Sequence, residues 1–438
     1  MTADAHIDDR PARTAKRQEA TRRSAFWPML FIFTLALPVS YYFGPVRLSP
    51  YRILLMAMLL PCFLMWISGK AGKIRSCDIY ILLYLAWSSL SIFLNMGNSG
   101  FEPAGMLVIE TLGAYLLARC FVRDAATFRS TVKFFFLVVV FLLPFAAAEA
   151  ILKQPILYNL FRLLGSVTPP TDMEMRMGMR RAQGSLEHPI LFGVFCSAAL
   201  SLAYYSYGRA AGGFWGSFRA GTAFLATFFS LSTGAYLSAM VQLMLIGWDR
   251  VTRTVQKRWK ILGAIVIVGY ILVDSLSNRS PFQVFISYLT FNQHNSYNRV
   301  LTWIYGTQHV MNHPWIGGGL GLDWIRPWWM NPSVDNFWLV VAMRHGLPAI
   351  AFLMLAIAAM MRQVTKLDLE MGEVDNARKG LLITLAGLSF AICSVHLWNA
   401  SYVLFIFLIG CGPWMLDHVA AAGEPRDSPQ QNNGKRRP

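Results

Sequence analysis

Long apolar runs separated by short polar segments dominate this chain from residue 27 to residue 420. A helix needs about 20 apolar residues to cross a bilayer core about 30 Å thick. On that measure the pattern predicts spans near 27–43, 51–68, 78–96, 104–122, 132–152, 189–207, 214–231, 234–249, 259–276, 335–361, 380–396 and 400–418. The shortest neighbours, 214–231 and 234–249, meet at Ser232-Thr233-Gly234, which is either a tight hairpin or one re-entrant unit. The predicted fold is all-α: a polytopic membrane domain over 27–420, about twelve transmembrane helices, flanked by polar tails at 1–26 and 421–438 that read as disordered. Two long segments between spans, 153–188 and 277–334, are the largest departures from the pattern.

Composition narrows the class. Only 14% of the 438 residues are charged and 55% are hydrophobic, whereas soluble domains carry roughly 25% charged residues. The net charge of +16 by itself would suggest nucleic acid, but a mean hydropathy of +0.42 directs the basic residues to cytoplasmic loops instead. With the N-terminus inside, 28 of the 39 Lys and Arg fall on the cytoplasmic side, and an even number of spans returns the basic C-terminal tail to that side. The first 26 residues lack the order of charge, apolar stretch and cleavage site that marks a signal peptide.

Cys62, Cys77, Cys120, Cys196, Cys393 and Cys411 lie within spans or at their cytoplasmic ends and lack metal-ligand spacing, so they read as small buried residues. The Gly317-Gly318-Gly319-Leu320-Gly321 run lacks the Lys-Ser/Thr of a nucleotide loop. No cofactor and no metal is expected.

Eleven basic residues oppose the charge bias. Arg47 and Arg52 flank the first external turn; Lys153, Arg162, Arg176, Arg180 and Arg181 lie in the first long loop; Arg279, Arg299 and Arg326 lie in the second; Arg344 sits ten residues into the tenth span. Several guanidinium groups kept on the disfavoured side suit a phosphate or pyrophosphate; solvation, or pairing with Asp172, Glu174, Glu187 and Asp323, is the plainer alternative. The first loop ends in Arg180-Arg181-Ala182-Gln183-Gly184-Ser185-Leu186-Glu187-His188-Pro189, and Pro189 suits the first turn of a helix with Glu187 and His188 at its mouth. The second loop carries a helical stretch from Asn298 to His309, then His313-Pro314-Trp315-Ile316-Gly317, then Trp324, Trp328 and Trp329 before Asp335-Asn336. Its tryptophans fit an interfacial belt better than a sugar-stacking platform. Arg344 either binds an anionic head group or pairs with Glu110 or Glu149.

Three strings carry a resemblance: Arg181-x-x-Gly184 with His188-Pro189, Arg299-x-x-x-Trp303 with His313-Pro314-x-x-Gly317, and Asn336-x-x-Leu339 running to Gly346. They resemble the O-antigen ligase and Wzy-type polysaccharide polymerase superfamily, in order and placement, over about residues 25–420. The resemblance implies a metal-independent glycosyltransferase of GT-C-like architecture in the bacterial inner membrane. Its donor would be an undecaprenyl-diphosphate-linked oligosaccharide and its acceptor a glycan, with the active site periplasmic and both termini cytoplasmic. Flippase and chain-length-regulator or export proteins would be partners, and nucleic acid would not. Two departures stand out: Asp335 occupies a position where the ligases usually carry His, and Ser232-Thr233-Gly234 stands where many members have Ser-Arg-Gly. The Asp-Asn form is more similar to exopolysaccharide polymerases of the succinoglycan type than to ligases that load lipid A-core.

On this reading Arg181 and Arg299, with Arg180 as auxiliary, stabilise the leaving diphosphate, and Asp335 accepts the acceptor hydroxyl's proton. Asp335 also suits a helix N-cap. Glu187 and His188 are the reserve catalytic pair; His313, Asn336 and Arg344 complete the expected substrate-binding set. The alternatives are a ligase and, from another class, a lipid-linked oligosaccharide flippase. Transporters usually gather charge and broken helices near the midplane and often show two related halves; this sequence gathers polar residues in two loops instead.

Overall fold

A computed structural model describes residues 24–423, apart from 45, 164–166, 168–174, 208–212, 279, 282, 285–292 and 322–323. Most of both predicted tails lies outside the described residues, as do Asp172, Glu174, Arg209, Arg279 and Asp323. Among the described residues the chain folds as helices with one two-stranded sheet. Helix α1 (Ser24–Leu35) stops short of the predicted 27–43. The chain then turns into strands β1 (Tyr41–Phe43) and β2 (Val46–Leu48), antiparallel, with Tyr41 opposite Leu48.

Next come α2 (Pro50–Ile67), α3 (Ser76–Met96), α4 (Phe101–Val108), α5 (Ala114–Phe121), α6 (Ala125–Leu152), α7 (Ile156–Phe161), α8 (Pro189–Ser206), α9 (Gly213–Phe229) and α10 (Thr233–Val251). They are followed by α11 (Arg258–Leu276), α12 (Gln293–Asn312), α13 (Phe337–His345), α14 (Leu347–Thr365), α15 (Glu373–Ala391), α16 (Asn399–Gly410) and α17 (Trp414–Gly423). Among the described residues, seven helical segments are long and apolar enough to cross a membrane: α2, the continuous Ser76–Phe121 run, α6, α8, α11, α14 and Asn399–Ala420. The Ser76–Phe121 run has 46 residues, about 69 Å if straight at ~1.5 Å per residue. It folds back at Gly97–Gly100, so that α4 packs on α3.

Helix α8 is the axis of the bundle, packed by α6, α9, α10, α15 and α16. Its sequence carries Ala and Ser at several positions and Gly193, which lets neighbours approach, and hydrogen bonds then replace the missing side-chain bulk. The buried Gln242 of α10 donates to the Ser197 carbonyl (2.9 Å) and accepts from Ser201 Oγ (2.6 Å), while Ser201 Oγ also meets Thr384 Oγ1 of α15 at 2.7 Å. Three helices are thereby keyed to one register. By contrast, α11 has no buried residue, and its Ile, Val and Leu side chains are exposed around the helix. An all-round apolar surface of this kind suits lipid.

Polar contacts gather the predicted loops into two sets. In one, Arg75 meets Asp417 at 2.5 Å, Arg123 donates to the Lys70 carbonyl, and Arg129 pairs with Glu373. Arg119 and Asp78, both buried, pair at 3.0 Å, and Arg119 also donates to the carbonyls of Ala71 and Lys73. In the other set, Glu187 pairs with Arg47 and accepts from Asn399, while Arg52 pairs with Glu110 at 2.8 Å. The segments expected on one side of the membrane thus bond among themselves, and so do those expected on the other.

Candidate functional site

The end of the first loop is buried rather than draped over the surface. Residues 181–186 are all buried, so their backbone groups need partners inside the fold. The Ala182 N–H donates to the Phe229 carbonyl at 2.9 Å, and the Gly184 N–H donates to the Glu149 carboxylate at 3.0 Å. Gly184 has φ +55°, and a Cβ there would lie 2.7 Å from the Phe192 ring, so the Arg-x-x-Gly spacing has a steric cause. The segment is thereby locked with Arg181 held near the start of α8. Just upstream, Arg176 and Met179 exchange backbone hydrogen bonds (3.0 and 2.9 Å) across Met177 (φ 53°) and Gly178 (φ 74°). Two successive positive φ values make this a two-residue hairpin turn, which fixes Arg176.

The mouth of α8 forms as expected. Pro189 occupies the first turn and His188 is the N-cap, its Nδ1 accepting from the Ile190 N–H at 3.1 Å. Burial, reinforced by the Arg181 charge, pushes the His188 imidazole down to about 4. It is therefore neutral near pH 7, as an Nδ1 acceptor requires. Its ring packs against Trp398 (5.5 Å between centroids).

On the other wall, α12 presents Arg299 and Thr302. Burial pushes the Arg299 guanidinium down from its ordinary value, Asp335 opposes that, and Arg176 adds to it. The predicted span 335–361 is corrected: it is two helices, α13 and α14, broken at Gly346. Pro348 stands in the first turn of α14, and Gly346 has φ +80°. The broken end of α13 leaves carbonyls without partners in the helix. The glycine run supplies them: the Gly318 N–H donates to Met343 O (2.7 Å) and the Gly319 N–H to Arg344 O (3.2 Å), while Leu347 N–H donates to Pro314 O (2.7 Å). A Cβ on Gly346 would sit 2.0 Å from the Trp315 carbonyl oxygen. The His313-Pro314-x-x-Gly317 string is therefore a backbone seam closing a broken helix.

At the start of α13 the cap belongs to Asn336, whose side chain accepts from the Leu339 N–H at 3.0 Å. The Asp335 carboxylate is not used as the cap and meets Ser333 Oγ at 3.3 Å. No cation among the described residues stands within ion-pair distance of it.

These walls enclose a cavity of about 190 Å³ whose lining includes Arg176, Arg181, Ser232, Thr233, Arg299 and Asp335. Three cations face one carboxylate, and the N-termini of α8 and α10 reach the same cavity through Ile190 and Thr233. Helix N-termini add to the attraction for an anion. A small pocket shares Arg299, Thr302 and Asp335 with this cavity, and Trp303, Asn336, Leu339 and Cys393 with a second one. That one is an apolar groove of about 350 Å³ between α12 and the α13–α14 pair, including Trp303, Val310, Leu339, Ala342, Ile350 and Met354.

Of the residues expected in the site, Arg181, Arg299 and Asp335 meet in the first cavity, and Asn336 lines the small pocket beside it. Glu187 is held by Arg47 and Asn399, and Arg180 lies 3.6 Å from the Glu149 carboxylate. His313 is exposed beside His309, 5.1 Å away between ring centroids. Of the two readings of Arg344, pairing with Glu110 or Glu149 is not found among the described residues: Glu110 is held by Arg52, and Glu149 by Arg180 and the Gly184 N–H. Among the described residues Arg344 has no carboxylate partner; its carbonyl, rather than its charge, makes the contacts with Ser91 and Gly319. Sequence reasoning left out Arg176, Ser232 and Thr233 as lining residues. The short turn at 232–234 was a visible signal, and Arg176 was visible only as one of the clustered arginines of the first loop. No metal-holding group of His, Cys, Asp and Glu occurs among the described residues. Comparison with protein-family models and a search of curated proteins find no match to this chain.

Proposed function

We propose that this membrane protein is a glycosyltransferase acting on an undecaprenyl-diphosphate-linked glycan, and that it works as a polysaccharide polymerase. The observation that carries the proposal is the adjacency of a cationic cavity and an apolar groove, each of which shares lining residues with one small pocket at Arg299, Asp335 and Asn336. A polyprenyl diphosphate has the complementary form, a dianionic or more highly charged head on an apolar chain. The guanidinium groups would meet the head, the groove would take the first isoprene units, and the sugar would lie beside Asp335.

In the reaction the acceptor hydroxyl attacks the anomeric carbon. The bond from that carbon to the diphosphate oxygen breaks, and the diphosphate leaves with the electron pair. Arg181 and Arg299 stabilise the charge that develops on it, and Asp335 takes the hydroxyl proton. In this reading the chain crosses the inner membrane twelve times in a GT-C-like arrangement, both termini are cytoplasmic, and the cavity opens to the periplasm.

The test is to incubate purified protein with undecaprenyl-diphosphate-linked repeat units and an acceptor glycan. Release of undecaprenyl diphosphate with a ladder of product lengths supports a polymerase, and a single transfer to a lipid acceptor would make it a ligase. Movement of intact donor across vesicles without transfer would replace the enzyme with a flippase.

A further inference from the structure

Arg176 plays no part in the reaction just described, yet it lines the same cavity as Arg181 and Arg299. Its Nη1 donates to the Leu231 carbonyl at 2.8 Å, which holds the guanidinium beside the Ser232-Thr233 turn. No carboxylate among the described residues pairs with it. The hairpin that fixes it places a non-glycine residue, Met177, at φ 53°, while the Met177 side chain itself is exposed. The turn therefore places its neighbour rather than packing its own tip.

Charge gives this placement a chemical meaning. Asp335 offsets one of the three arginines, so the lining carries two net positive charges. A monophosphate ester can be met by the two arginines already assigned. A diphosphate adds charge and a second phosphoryl group whose further oxygens a third guanidinium can meet, because each bidentate contact uses two oxygens.

We propose that Arg176 is a specificity-determining residue that makes the cavity select a diphosphate over a monophosphate. This rests on the reading of the cavity as the head-group site. The experiment measures binding of farnesyl diphosphate, farnesyl monophosphate and farnesol to the full-length protein in detergent. Wild type, Arg176→Ala, Arg176→Lys, and Arg176→Ala combined with Thr233→Arg are compared. Wild type should prefer the diphosphate. Arg176→Ala should weaken diphosphate binding about tenfold or more, the effect of losing a charge-assisted hydrogen bond, while the monophosphate changes much less and farnesol not at all. Arg176→Lys should recover part of the preference. The double variant, which returns a guanidinium to the same cavity wall from Thr233, should restore most of it.

Equal weakening of all three ligands would assign Arg176 a structural role and overturn the proposal, as would an unchanged preference in Arg176→Ala. A wild type that binds both phosphates equally overturns the selection by Arg176 and leaves the glycosyl-transfer reading standing. A wild type that binds neither phosphate overturns both.

Discussion

Asp335 and Asn336 are adjacent residues with the same capping chemistry, and the fold gives them different work. Asn336 bonds the Leu339 N–H, which leaves the Asp335 carboxylate to the cavity. Replacing Asp335 with Asn should lower turnover by about 10²-fold or more, the usual contribution of a positioned base, with protein yield unchanged; a variant that still polymerises at the wild-type rate removes Asp335 as base. Arg181→Lys and Arg299→Lys should each cost about tenfold or more in turnover, because an ammonium cannot make the bidentate contact. His188 gives a prediction in pH. Its proton binds near pH 6.5 in an unfolded chain and at about 4 in the folded one. Between those values the unfolded chain holds more protons, so the fold loses up to about 1.4 kcal/mol per unit as pH falls from 6.5 towards 4, and none of this contribution is lost above 6.5. His188→Asn keeps a capping acceptor and should flatten that part of the thermal-stability profile in detergent. Parallel profiles for the two proteins would show that His188 does not carry it.

At the scale of elements, the strings that stand out in the sequence divide into two kinds. Arg181-x-x-Gly184 builds the cavity: Gly184 permits a buried turn, and the turn fixes the arginine. His313-Pro314-x-x-Gly317 instead seals the break between α13 and α14, with the His313 side chain outside the cavity. Spacing alone does not separate these roles, because both depend on which backbone comes close to which glycine. The same limit kept the sequence from saying which arginine reaches the cavity and which takes Glu187; the latter is Arg47, a residue 140 positions away. What was legible was local: apolar runs gave the helices, Pro189 gave the start of α8, and clustered arginines marked two loops. The seam can be tested directly. Gly346→Ala combines a left-handed φ with a Cβ 2.0 Å from Trp315 O, so it should cost at least the ~1–3 kcal/mol of a strained backbone and lower the thermal midpoint. Gly321→Ala has open space around it and should leave the midpoint unchanged. Equal midpoints for the two variants would refute the seam.

At the scale of the whole molecule, the bundle keeps its charges in two polar sets and its internal polarity in a hydrogen-bonded core around Gln242. Gln242→Leu leaves Ser197, Ser201 and Thr384 to find other partners. It should destabilise the protein by about 1–2 kcal/mol, the range for polar contacts between membrane helices, read as a lower thermal midpoint in detergent. An unchanged midpoint would mean that packing alone sets the register. The apolar groove, not legible from the sequence because α12 and α14 are brought together only by folding, leads to a prediction about lipid length. Met354 lines it and is partly exposed, so Met354→Trp should narrow the groove with little cost to the core. Long-chain donors should then lose several-fold in kcat/KM while a farnesyl-linked donor keeps its value; equal losses for both would place the lipid elsewhere.

The groove has Met311, Leu347 and Met354 exposed among its lining residues, the last two on α14, a helix long and apolar enough to cross a membrane. On the proposed reading a polyprenyl donor would enter there by sliding sideways within the bilayer, without passing through water. Its effective concentration is a surface density, so at a fixed amount of donor the initial rate should fall when inert phospholipid is added to the same proteoliposomes, and should stay constant when only buffer is added.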